Sequence, residues 1–427
     1  MEIQHIHNLF LQCTSISIDT RKIVPKSMFV AIKGDNFDAN NFAKDAIEKG
    51  ALYVIIDNKQ YFIDHRTILV EDSLQTLQEL SRYHRKFLKT PIIALTGSNG
   101  KTTTKELINV VLSKKYNTKA TVGNFNNHIG VPLTLLSFDE NTEIGIVEMG
   151  ANHQKEIEFL CNIAQPDYGY ITNFGKAHLE GFGGVEGVIK GKSEMYNYLE
   201  SNDKTTFINL DDPIQVAKTL KLNSKSFGID KPIADLNILC INANPLVTIE
   251  YNFTKINSNL IGLYNANNIN AAILIGKYFN VDDLHIKQAI ESYIPENNRS
   301  QLLTKGSNEI ILDAYNANPS SMKVAIENFL QLENSSKLMI LGDMFELGED
   351  TAIEHLAIID LLKTQRKSMC YLAGKYFYAN QITSDKIKFF ENFADLSQHL
   401  QKNKPERSII LIKGSRGMAL EKTLDYL

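Results

Sequence analysis

Residues 96 to 104 read TGSNGKTTT, and a segment of that composition leaves its chain few folds to adopt. Gly97 and Gly100 let the backbone approach phosphate oxygens, Lys101 carries positive charge toward the far end of a polyphosphate, and Thr102 offers a hydroxyl to Mg²⁺. The flanks agree. PIIALT before the loop is a short apolar run of strand type, and KELINVVLSKKY after it spaces apolar residues as a helix does. A bound phosphate would therefore face a helix N-terminus. The loop is two residues shorter than the general G-x-x-x-x-G-K-[ST] pattern, because position 95 is Leu and the first glycine is Gly97. A glycine turn with a surface lysine is the plain alternative, and the strand and helix on either side argue against it.

The rest of the chain extends the alternation of strand and helix. At roughly 100 to 200 residues per domain, 427 residues suggest three α/β domains, with boundaries expected at 1–88, 89–297 and 298–427. In the first, MFVAIKG and ALYVIID flank the amphipathic NFAKDAIEKGA. In the second, EIGIVEMG, DYGYITNFG and KTTFINLDD follow the loop and predict a mostly parallel sheet with helices on both faces. The third repeats the pattern at 309–313, KLMILGDM, SMCYLAG and RSIILIKGS, a Rossmann-like series, and the polar PENNRS at 295–300 reads as the linker before it.

A net charge of -4 with 22% charged residues indicates neither a nucleic-acid surface nor an acidic tail. Cys13, Cys161, Cys240 and Cys370 form no C-x-x-C pair, which predicts reduced thiols without structural zinc. MEIQHIHNLF lacks a cationic start before an apolar core, and no run reaches the ~18 apolar residues of a membrane span. The expectation is a cytoplasmic protein.

Open α/β sheets bind ligands beyond the carboxyl ends of their strands. Glu148 closes the run IGIV, so its carboxylate is expected near the phosphate loop as a Mg²⁺ ligand, against the plain reading of a capping glutamate. Asn173 and His178 follow YIT in the glycine-rich TNFGKAHLEGFGG. A histidine in such a place is more commonly structural than a ligand. On spacing alone, Lys190 and Lys192 read as a solvated helix face.

TGSNGKTTTKE, GNFNNHIGVPLT, EMGAN, TNFGKAHLEGFG and GKSE, in this order, resemble the middle domain of the Mur ligase family. DAYNANP, LGDMFELGE and KGSRGM resemble its MurF branch, which joins D-alanyl-D-alanine to UDP-N-acetylmuramoyl-tripeptide. SIDTRKIVPKSMFVAIKGDNFDANNF is similar to the family's UDP-binding domain. The resemblance spans nearly the whole chain and implies an ATP-dependent ligase of cell-wall synthesis, working as a monomer. A carboxylate does not react usefully with an amine in water, so ATP must first convert it to an acyl phosphate. Bringing two anions together calls for cations.

The resemblance also implies roles. Gly97, Ser98, Asn99, Gly100, Lys101, Thr102 and Thr103 would hold the phosphates, with Thr102 and Glu148 on one Mg²⁺ and His178 helping to hold a second. Lys192 would be carbamylated by CO₂ to support that second ion. Asn265 and Asn268 would read adenine, although Tyr264 stands where the family usually has His. Arg299 would reach the γ-phosphate or ribose, with Asp313 against ATP or Arg299. Ser17, Asp19, Thr20 and Arg21 would lie near the UDP moiety, although Asp38, Ala39 and Asn40 replace a common Gly-His pair. Asn126 and Asn127 would face substrate. Tyr315, Asn316, Asn318, Lys413, Ser415 and Arg416 would attend the incoming dipeptide.

Three rivals differ visibly. A single-amino-acid ligase of the MurE branch would carry a D-N-P-R stretch, a folylpolyglutamate synthase-like ligase would lack the UDP-domain pattern, and a P-loop switch or transport ATPase would carry the full-length loop.

Overall fold

The computed structural model describes residues 2–296, 298–334, 336–365 and 368–427. Asn297, the last residue of the expected second domain and part of PENNRS, lies outside the described residues. Three α/β units follow one another along the chain. The first holds a parallel sheet in the order Ile16–Ser17, Met28–Val30, Tyr53–Ile56, Thr67–Leu69. MFVAIKG is not one strand. It divides into Met28–Val30 and the two-residue Lys33–Gly34, which pairs antiparallel with Phe37–Asp38.

The unit ends in the helix Ser73–Leu88, whose N-cap Asp72 accepts from the Gln75 amide at 2.7 Å. This helix packs on the first one, Ile3–Phe10, through a buried pair of histidines. His84 Nε2 lies 3.0 Å from the Phe138 carbonyl, which can only accept, so that nitrogen carries the proton. His84 Nδ1 is then the acceptor for His7 Nε2–H at 3.0 Å. A second proton on His84 would set donor against donor.

Burial pulls both rings below the ordinary histidine range, His7 to about 4. Above pH ~6.5 the rings are neutral in both folded and unfolded chains and stability is unaffected; below it the unfolded chain takes up protons that the folded one refuses. Stability therefore falls as pH drops from ~6.5 toward ~4, by up to ~1.4 kcal/mol per pH unit per ring. Urea unfolding across that window should show a shallower decline for His7→Leu than for the wild type.

The central unit is a seven-stranded sheet in the order Leu236–Ile238, Asn223–Ile229, Thr205–Asn209, Tyr168–Ile171, Ile92–Thr96, Ile144–Glu148, Thr118–Ala120. Every pair in it is parallel. All carboxyl ends thus lie along one edge. Ile92–Thr96 is fully buried and sits between two neighbours, with Leu95 opposite Glu148 and Thr96 opposite Ile171. The chain runs from that strand to Thr118–Ala120 on one side, returns to Ile144–Glu148, and only then crosses to Tyr168–Ile171 on the other; the reversal of strand order opens a crevice at its end.

The mostly parallel sheet is as expected, and an antiparallel meander, Cys240–Ala243, Leu246–Tyr251 and Thr254–Ile261, follows it as a separate sheet that keeps one face partly open to solvent. Leu246–Tyr251 shows why: Val247, Ile249 and Tyr251 are buried while their alternates are partly exposed, the pattern of a sheet with one covered face.

The third unit has six strands in the order Gln301–Lys305, Asn308–Asp313, Ile409–Lys413, Lys337–Gly342, Met369–Ala373, Ile387–Phe390. Only the edge strand Gln301–Lys305 runs antiparallel. One buried apolar cluster contains residues of both the central and the third unit, from Ile92 and Val147 to Met339 and Leu411.

Candidate active site

The phosphate loop links Ile92–Thr96 to the helix Lys101–Leu112, which begins at Gly100 with no side-chain cap. Its first amides have no intrahelical partner and remain for a ligand. Gly97 and Gly100 have φ of 141° and 80°, values that L side chains rarely adopt. A Cβ on Gly97 would stand 2.0 Å from Thr172 Oγ1, and one on Gly100 would stand 2.5 Å from Asn268 Oδ1. Gly97→Ala should strain the loop by about 1–3 kcal/mol. We expect Mg-ADP binding about tenfold weaker or worse by calorimetry, with circular dichroism unchanged.

The loop is held from the neighbouring strand end. Thr172 Oγ1 donates to the Asn99 carbonyl at 2.5 Å and Asn173 Nδ2 to the same oxygen at 3.0 Å, while the Asn99 amide donates to Asn173 Oδ1 at 3.1 Å. The Ser98 hydroxyl is spent on the Gly175 carbonyl at 2.7 Å. Lys101 Nζ donates to the Gly97 carbonyl at 2.7 Å. Burial pulls its ammonium below the ordinary lysine range, against the opposing pull of Glu148.

Glu148 is 1% exposed. One oxygen accepts from Asn126 Nδ2 at 2.8 Å, and the other is buried with no hydrogen-bond partner. An ionised carboxylate oxygen in that state is costly unless a cation meets it. The donor chemistry suits Mg²⁺: Glu148 and the Thr102 hydroxyl both line the cleft beside the phosphate loop. Among the described residues, no three His, Cys, Asp or Glu side chains gather as a ready metal set.

His178, in the left-handed region at φ 53°, is paired through Nδ1 with Glu346 of the third unit. That hydrogen bond holds the Glu346 carboxyl below its ordinary range. Lys192 is not a solvated residue, because the helix Val185–Ser201 turns it inward to 1% exposure while Lys190 stays outside. Its Nζ donates to the Ala151 carbonyl at 3.2 Å and lies 5.0 Å from the Phe182 ring centroid. Burial, reinforced by Lys101, pulls this amine well below the lysine range. Lys192 lies behind the cleft wall rather than in it.

Asn265 and Asn268 are buried at 2% and 6%. Asn268 accepts from Thr104 Oγ1 at 3.0 Å and donates to Asn265 Oδ1 at 2.8 Å. Their amides thus brace the helix behind the phosphate loop as well as lining the cleft. Tyr264 OH meets Ser300 Oγ at 2.8 Å, and the Ser300 amide donates to Asp313 Oδ1 at 3.0 Å. Asp313 pairs with buried Lys413 at 2.5 Å, and the Arg299 guanidinium lies 3.5 Å from the Tyr315 ring centroid.

Apart from Thr104, these residues line one cleft of about 1350 Å³ with Asn316, and Leu74 and Gln78 of the first unit also contribute to it. Asn126 and Asn127 line it too, and Asn127 Oδ1 accepts from the Gly130 amide at 2.9 Å.

Other expected residues stand apart. Ser415 is buried, accepting from the Phe345 amide at 2.9 Å, and Arg416 is exposed and paired with Glu421 at 3.2 Å. Asp19 caps a short 3₁₀ turn that contains Thr20, accepts from Arg21, and is held to about 2 by that guanidinium. Ser17 donates to the Asp19 carbonyl at 3.0 Å. None of these six is among the residues lining the cleft.

Sequence reading assigned no role to Glu346, Ser320 or Lys176. Glu346 and Ser320 lie inside or beside quoted motifs, but their contacts appear only when the two units dock.

Fold and site together define a class: an α/β enzyme that uses a nucleoside triphosphate in a cleft walled by all three of its units. Family models narrow it. The Mur ligase middle domain matches residues 95–276, the Mur ligase glutamate ligase domain 298–416, and the Mur ligase family catalytic domain 12–85. The chain belongs to the Mur ligase family.

It is 34% identical to the UDP-N-acetylmuramoyl-tripeptide--D-alanyl-D-alanine ligase of Bacillus subtilis, covering 96% of this chain and 92% of that protein. The Escherichia coli ligase of the same name is 29% identical, covering 97% and 93%. Among solved structures, MurF from Acinetobacter baumannii superposes with TM-score 0.88 at 28% identity, covering 99% and 97%. MurF ligase from Thermotoga maritima in complex with ADP gives 0.84 at 27% identity, covering 98% and 97%.

Proposed function

We infer that this chain is an ATP-dependent ligase that joins D-alanyl-D-alanine to UDP-N-acetylmuramoyl-tripeptide, giving the UDP-linked pentapeptide for peptidoglycan synthesis. The observation that carries the reading is 34% identity over 96% of the chain to a ligase of that name. The tripeptide's terminal carboxylate attacks the γ-phosphorus of ATP, ADP leaves, and an acyl phosphate results. The dipeptide amine then adds to the acyl carbon, and phosphate leaves as the amide forms and the proton passes to solvent.

Lys101 and the free amides of its helix would hold the β- and γ-phosphates, and Arg299 would add charge from the linker. Mg²⁺ held by Thr102 and Glu148 would neutralise the developing phosphate charge. Asn265 and Asn268 would meet adenine, Ser17 to Arg21 the UDP group, Asn126 and Asn127 the tripeptide. Tyr315, Asn316 and Lys413 would serve the dipeptide, with Asn318 holding the phosphate loop beside them and Ser415 and Arg416 standing behind. Units divided at 88/89 and 297/298 would carry UDP binding, ATP chemistry and dipeptide capture in turn.

A second Mg²⁺ near His178 would need Lys192 as a carbamate. A buried amine with a depressed pKa is the form that attacks CO₂, losing a proton as the N–C bond forms. Labelled bicarbonate should give a carbamate NMR signal in the wild type, and a spectrum identical to that of Lys192→Ala would discard the idea. We read the enzyme as cytoplasmic, since its substrates are nucleotides, and as a monomer, since one chain supplies every wall of the cleft.

Phosphate release with ATP, Mg²⁺ and the UDP-tripeptide, with and without D-alanyl-D-alanine, tests the reaction. Dipeptide-dependent release with a UDP-pentapeptide by mass spectrometry is expected, and release without a new amide would refute the assignment.

A further inference from the structure

The helix Pro319–Gln331 of the third unit starts at Asn318, whose two side-chain atoms do different things. Oδ1 accepts from the Ser321 amide at 2.9 Å, and the Ser321 hydroxyl returns a contact to the Asn318 backbone amide at 3.1 Å, which completes a capping box. Nδ2 is then free to point away from the helix. It donates to Asn99 Oδ1 at 2.7 Å.

Asn99 belongs to the phosphate loop, and its main chain is fixed by Thr172 and by both ends of the Asn173 amide. Its side chain therefore projects from an anchored position. Two residues further along the third unit, Ser320 Oγ accepts from the Lys176 amide at 2.8 Å. Both asparagines line the cleft. The first turn of a third-unit helix is thus bonded directly to the loop that cradles phosphate.

We propose that Asn318 is a positioning residue that couples the phosphate loop to the docked third unit, so that nucleotide binding and docking favour each other. The coupling acts through Asn99, not through contact with the dipeptide. Linkage makes it reciprocal: whatever docking adds to nucleotide affinity, nucleotide adds to docking. The inference rests on the reading of the loop as a nucleotide site, and its test needs no ligase turnover.

The discriminating variant is Asn318→Ser. Serine caps a helix as well as asparagine does but is too short to reach Asn99. Asn99→Ala removes the acceptor from the other side, and the double variant closes the cycle. Titration of each full-length protein with Mg-ADP should show about two- to tenfold weaker binding for Asn318→Ser, the range of one hydrogen bond, with melting temperature unchanged.

The double variant should bind no more weakly than Asn99→Ala alone, and small-angle scattering with Mg-ADP should show less compaction for all three variants than for the wild type. Wild-type affinity in Asn318→Ser would overturn the proposal, as would losses that multiply in the double variant. A rise confined to the KM for D-alanyl-D-alanine, at unchanged ADP affinity, would instead make Asn318 a dipeptide contact and also overturn it. Failure of the ligase reading would appear separately, as wild-type protein that binds ADP but forms no amide.

Discussion

Lys101→Met should lower kcat by at least about 10²–10³-fold, the usual effect of losing one preorganised charge at a reacting group, without destabilising the fold. The two halves of this expectation have one cause. The amine sits where burial disfavours its charge, and its hydrogen bonds go to the Gly97 and Ser98 carbonyls, at 2.7 and 3.4 Å. Ser98 and Lys101 line the cleft, where water can take the ammonium's place. The folded protein therefore gains little from the ammonium, and a neutral side chain of similar length relieves a desolvated charge. Urea midpoints and single-turnover phosphate release measure the two halves. A variant as active as the wild type would remove Lys101 from the chemistry, and one that fails to fold would show the lysine to be structural.

Lys413→Ala should be the most damaging single change for stability. Asp313 and Lys413 stand opposite each other at the ends of adjacent parallel strands, Asn308–Asp313 and Ile409–Lys413. Their charges meet at 2.5 Å, with the lysine side chain 3% and the aspartate side chain 16% exposed. Removing the lysine leaves a largely buried carboxylate whose remaining hydrogen bonds, among the described residues, come from the Ser300 amide and hydroxyl at 3.0 and 3.5 Å. The loss should be about 3 kcal/mol, the lower end for breaking a buried pair. Lys413→Ala combined with Asp313→Ala should recover part of it, because neither charge is then stranded. A urea midpoint for Lys413→Ala equal to the wild type would show the pair to be solvated in solution. Since Asp313 also holds Ser300, the linker should loosen as well, and kcat should fall in the single variant.

Local chemistry was legible in the sequence where the residues that act together are neighbours. The phosphate loop, the helix after it and the strand ending in Glu148 each follow from spacing within about ten residues, and the structure places them together. The Asn318 cap and Pro319 at its helix start are just as local, though only the structure displays them. What spacing could not supply was burial. Lys190 and Lys192 are chemically alike and two positions apart, yet the helix sends one to water and the other beneath Phe182. The strand Leu246–Tyr251 escaped notice although Val247, Ile249 and Tyr251 alternate with Thr248 and Glu250, because the expected strands were apolar runs separated by helical patterns. Glu346 and Ser320 lie over a hundred positions from their partners, so only docking of the units reveals them.

Several contacts on the rim where the third unit meets the loop at 173–180 are polar. Lys176 reaches Glu354 at 2.5 Å, Ser320 takes the Lys176 amide, and His178 meets Glu346. The Lys176 side chain is 47% exposed and that of Glu346 56%. Water can step into each of these bonds as it parts, and dissolved ions weaken the charged ones. A seam stitched in this way gives its edge no oily surface to bare on parting, and its grip there slackens as the salt of the surrounding medium rises.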